Sequence, residues 1–64
     1  MLIREFHRQI INLLQEGQIS LAAIYAHENQ TIELDVALLE KFIPEQTLSE
    51  FNELVSELNG GATL

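Results

Sequence analysis

The chain has 64 residues, 47% hydrophobic and 20% charged, with three Lys or Arg against ten Asp or Glu for a formal net charge of −7. That length holds one domain with a thin core, and the apolar content is too high for a disordered acidic tail. The charge balance argues against direct nucleic-acid binding, which depends on neutralising phosphates with Lys and Arg.

There is no cysteine to staple the core. A domain this small draws support from a second copy or from a partner's surface, so a homodimer or a docking domain is expected. The lack of cysteine suits a reducing compartment, and the cytoplasm is the expected location. No membrane segment is expected, because Arg4, Glu5, Arg8 and Gln9 interrupt the apolar residues of the N-terminal stretch.

Residues 2–16 read as an amphipathic helix. Leu2, Ile3, Phe6, Ile10, Leu13 and Leu14 recur at three- and four-residue spacings, and Gly17 follows as the stop. Residues 19–27 are ambiguous: Ile19, Leu21, Ala23 and Tyr25 alternate as in a strand, whereas Ser20 could cap a short helix rich in Ala and Leu. The strand is favoured because Thr31 to Val36 alternates as well, with Ile32, Leu34 and Val36 on one face and Glu33 and Asp35 on the other. The two would pair across a turn at His27, Glu28, Asn29 and Gln30.

Val36 to Ile43 reads as a short helix capped by Asp35 and ended by Pro44. Thr47 with Glu50 has capping-box spacing, and Leu48, Phe51, Leu54, Val55 and Leu58 form the stripe of a last helix that Asn59, Gly60 and Gly61 terminate. The expected fold is therefore α+β, a small single domain over residues 1–59 in the order helix, β-hairpin, short helix, helix, with 60–64 a flexible tail or the start of a linker. Its expected core is Phe6, Ile10, Leu13, Leu14, Ile32, Leu34, Leu38, Phe51, Val55 and Leu58.

No catalytic, metal-binding or cofactor-binding residues are expected. The only histidines, His7 at the edge of the first helix's stripe and His27 in the expected turn, have no second metal ligand at helical spacing and no nucleophile–base partner. Glu50, Glu53 and Glu57 share the outer side of the last helix, where carboxylates form a solvated face or recognise a partner. Gly60 and Gly61 follow a helix, whereas a phosphate cradle would precede one.

The order of elements over residues 2–58 resembles the β-hairpin docking domains at the N-termini of some nonribosomal peptide and polyketide synthetase subunits. In that family a short linear motif from another subunit adds a strand beside the hairpin. The resemblance implies a non-catalytic docking or adaptor function and a contact on Thr31, Ile32, Glu33, Leu34 and Asp35. Those two carboxylates would select a neutral or basic segment.

Three other readings stand beside it. Residues 31–58 resemble the ribbon-helix-helix transcriptional regulators, although outward Glu33 and Asp35 oppose contact with DNA. Glu53, Leu54, Leu58, Gly60, Gly61 and Ala62 look like the end of a double-glycine leader of a modified-peptide precursor. A small acidic inhibitor protein would have the same composition.

Overall fold

In a computed structural model, which describes residues 2–60, the elements are four helices: α1 (Ile3–Gln15), α2 (Ile19–Glu28), α3 (Val36–Glu40) and α4 (Glu45–Leu58). The described residues contain no strand. The α+β expectation is thus corrected to an all-helical fold. Of the expected tail, residues 60–64, all but Gly60 lie outside the described residues.

The correction centres on α2. Ala22, Ala23 and Ala26 lie on one side of it and are buried among Phe6, Ile10, Leu39 and Phe51. Alanine has the highest intrinsic helix propensity, and without a bulky side chain it lets neighbouring helices approach closely. The helix packs against both α4 and α1, most extensively against α4. Three alanines on one side give the core a small-residue seam that a strand's alternation would have split between two faces.

α1 ends as its glycine requires. Gly17 has φ +82°, its N–H donates to the Leu14 carbonyl at 3.1 Å, and the Gln18 N–H donates to the Leu13 carbonyl at 2.8 Å. This is a Schellman closure, which satisfies carbonyls that the helix end would otherwise leave open. Gly60 repeats the left-handed stop after α4, with φ +76° and its N–H donating to the Glu57 carbonyl at 3.0 Å.

Asp35 caps α3 as expected, its carboxylate accepting the Leu38 N–H at 3.2 Å. α3 stops at Glu40, three residues short of the expected Ile43, and a tight turn carries Phe42 and Ile43 to Pro44. α4 begins earlier than the Thr47–Glu50 pattern implies. Pro44 occupies the cap position with φ −60° and its carbonyl accepts the Leu48 N–H at 3.0 Å, so Thr47 already lies inside the first turn. No side chain caps this helix, and the expected capping box does not form.

Phe6, Ile10, Leu14 and Phe51 of the expected core are buried, joined by Ala22, Ala23, Ala26, Leu39, Ile43 and Leu48. Leu13, Ile32, Leu34 and Val55 pack against its edge, partly buried. Leu58 is corrected: it is 43% exposed. Phe6 also stacks on Tyr25, with ring centroids 5.6 Å apart, fastening α1 to α2.

Candidate functional site: the groove between α2 and α4

The segment Thr31 to Asp35, expected as the strand edge that receives a partner, is an irregular connection between α2 and α3. Its alternation is real but has another cause. Ile32 and Leu34 turn in against the core while Thr31, Glu33 and Asp35 stay exposed, as a chain laid across an apolar surface requires. Its backbone is tied down at both ends: the Ile32 N–H donates to the Asn29 carbonyl at 2.9 Å, and the Asp35 N–H donates to His7 Nε2 at 2.8 Å. Among the described residues no sheet edge exists for an added strand, nor a ribbon to enter a DNA groove.

Both histidines have structural positions that the sequence reading did not anticipate. His7 is only 3% exposed; its Nδ1–H donates to the Ile3 carbonyl at 2.8 Å, which leaves Nε2 as the acceptor for Asp35. Both ring nitrogens are therefore engaged by backbone groups. His27 lies on α2 and not in a turn, and its Nδ1–H donates to the Asn59 side-chain oxygen at 2.6 Å, clasping the ends of α2 and α4. Among the described residues no group of three His, Cys, Asp or Glu side chains is placed to hold a metal ion. No helix among the described residues is long and apolar enough to cross a membrane.

The feature that periodicity could not reveal is the outer side of α2. With alanines filling its inner face, the helix also carries Leu21 and Ile24 outward, 52% and 43% exposed. An apolar stripe normally faces one way, and a helix apolar all round has two faces to cover. Ile24 borders a groove of about 370 Å3 between α2 and α4, formed with Ser20, Ala23, Leu54, Glu57 and Leu58.

The groove has apolar walls and one carboxylate, Glu57, in its lining. Leu54 supplies the partly buried floor on the α4 side, and exposed Leu58 extends the apolar surface toward the helix end. Glu57 stands at the edge, with exposed Glu50 and Glu53 on the same outer side of α4, and exposed Glu28 closes α2. The carboxylate side expected to be either solvated or a recognition face thus flanks exposed leucine and isoleucine. Singly exposed apolar residues are ordinary; here Ile24 and Leu58 are exposed together along one groove.

No known protein family matches the chain, and neither curated proteins nor solved structures show detectable similarity to it.

Proposed function

We propose that the chain is a non-catalytic protein–protein interaction module whose α2–α4 groove receives a basic amphipathic helical segment of a partner protein. The observation that carries this reading is exposed Ile24 beside exposed Leu58 along one groove, on a helix α2 whose opposite side is already in the core. A partner helix would set apolar anchors at three- and four-residue spacings against Ile24, Leu54 and Leu58. Its Lys and Arg would meet Glu28, Glu50, Glu53 and Glu57, which favours basic segments and speeds their encounter. Two copies of this groove laid face to face would instead bring those carboxylates together, which opposes a symmetric dimer through this surface. The cysteine-free composition is consistent with work in the cytoplasm.

Titration calorimetry with a Lys- and Leu-rich amphipathic helical peptide tests the proposal. A scrambled peptide of equal charge but no apolar face should bind at least tenfold more weakly, about 1.4 kcal/mol. Ile24→Lys combined with Glu57→Lys should weaken the amphipathic peptide by a similar factor while leaving the fold intact, since both side chains are exposed. Equal binding of the two peptides overturns the reading, because attraction would then be charge alone.

A further inference from the structure

The cations of this chain are few, and the fold gathers them. A second groove, between α1 and α3, is lined by Arg4, Arg8, Ile11, Asn12, Leu38 and Phe42 among others, and none of its lining residues is a carboxylate. Phe42 is 53% exposed at its mouth, and the remaining cation, Lys41, is its neighbour in sequence and also exposed. In a protein of net charge −7, two of the three Lys and Arg residues, Arg4 and Arg8, thus line one groove with exposed Phe42. Arg4 also borders the adjoining hollow where Glu33 and Asp35 lie, but Arg8 faces Ile11, Leu38 and Phe42 without them.

This surface is the complement of the α2–α4 groove. One is lined by exposed Phe42 with Arg4 and Arg8; the other is lined by exposed Ile24 and Leu58 with Glu57, and Glu50 and Glu53 are exposed on the same helix as Glu57. We infer that a second copy of this chain docks head to tail, its α2–α4 surface seated on the α1–α3 groove of the first. The inference rests on the α2–α4 surface being a docking surface and adds the site that receives it.

The occupant is a second copy because the same chain carries the matching chemistry, apolar anchors beside a row of carboxylates. The overall like charge of two copies is screened beyond about 8–10 Å near physiological ionic strength, whereas carboxylate–guanidinium contacts at the interface are shorter than that. Head-to-tail contact joins unlike surfaces, so the pair as a whole retains one free surface of each kind and association can continue beyond two. A basic partner segment competes with it for the α2–α4 groove.

Sedimentation equilibrium at 0.15 M salt, a concentration at which the screening length is about 8 Å, tests the inference with two variants. Arg4→Glu with Arg8→Glu disables the basic groove, and Ile24→Lys with Glu57→Lys disables the acidic one; all four side chains are exposed, and circular dichroism verifies folding. The wild-type chain should self-associate at concentrations below about 1 mM, equivalent to about 4 kcal/mol of association free energy. Each variant alone should be at least tenfold weaker, and an equimolar mixture should form a one-to-one complex, since each supplies the surface that the other lacks. A wild-type chain that stays monomeric overturns the inference, as does a variant that associates like the wild type or a mixture that stays monomeric. Calorimetry of the amphipathic peptide on the Arg4→Glu, Arg8→Glu variant separates the two proposals: peptide binding without wild-type self-association removes only the second copy, and self-association with restored mixing but no peptide binding removes only the foreign partner.

Discussion

His7 Nε2 accepts the backbone N–H of Asp35 at 2.8 Å, a bond that spans 28 residues and joins the middle of α1 to the cap of α3. Asp35 in turn accepts the Leu38 N–H, so one imidazole fixes the end of the irregular segment and the start of the next helix. The edge-on contact of His7 with Phe6, centroids 5.2 Å apart, ties the same ring to the core.

Replacing His7 with phenylalanine keeps the ring but removes the acceptor. The Asp35 N–H is then left without its partner, and the expected cost is about 1–3 kcal/mol. In a domain of this size each kcal/mol lowers the melting temperature by about 4–8 °C, so thermal denaturation followed by circular dichroism resolves the loss. An unchanged melting temperature would mean that the His7–Asp35 bond contributes nothing. The same geometry assigns the imidazole to the Nδ1–H tautomer, which nitrogen-15 NMR reads directly.

Phe51 and Leu58 separate the observed stripe of α4 from the expected one. Phe51 is fully buried, and Phe51→Ala should cost about 3–5 kcal/mol, a large share of the stability of so small a domain. Leu58→Ala, at an exposed position, should cost within about 0.5 kcal/mol. Urea denaturation of both variants distinguishes them, and equal losses would put Leu58 back in the core.

The α2 seam makes the opposite demand, for smallness. Ala22 and Ala23 are buried against neighbouring helices, so Ala22→Leu should force them apart and cost about 1–3 kcal/mol even though leucine is a good helix former. Ser20→Ala, on the exposed side, should stay within about 0.5 kcal/mol. A stabilised Ala22→Leu chain would contradict the packing described.

Legibility in the sequence follows how many faces each segment buries. α1 and α4 each turn one stripe inward, so Phe6, Ile10, Leu14 and Phe51 were readable from spacing, and Gly17 and Asp35 announced their caps through local chemistry. α2 was not readable, because apolar residues on both sides erase the 3.6-residue period and leave a chance alternation of Ile19, Leu21, Ala23 and Tyr25. Thr31 to Val36 misled for a different reason: a loop crossing an apolar surface alternates like a strand without pairing with one. Each apparent strand also supplies the pairing partner that the other would need. Of the candidate groove, only the Glu50, Glu53 and Glu57 face was visible in advance; Ile24 beside Leu54 and Leu58 is a product of tertiary packing.

Gly17 offers a test of local conformation alone. A methyl group added there meets no atom within 4 Å, so the cost of Gly17→Ala comes from its φ of +82°, at about 1–2 kcal/mol. Gln18→Ala, one residue further and exposed, should change stability little. Equilibrium denaturation of the pair checks that the turn between α1 and α2 is the left-handed closure described.

The most direct test of the docking account is a nitrogen–proton correlation spectrum of the labelled protein during titration with the basic amphipathic peptide. Amide shifts should concentrate at Ser20, Ala23, Ile24, Leu54, Glu57 and Leu58, the residues that line the α2–α4 groove. Shifts confined to Thr31 through Asp35, or no shifts at peptide concentrations up to about 1 mM, where even an affinity of about 4 kcal/mol would register, would contradict docking in that groove.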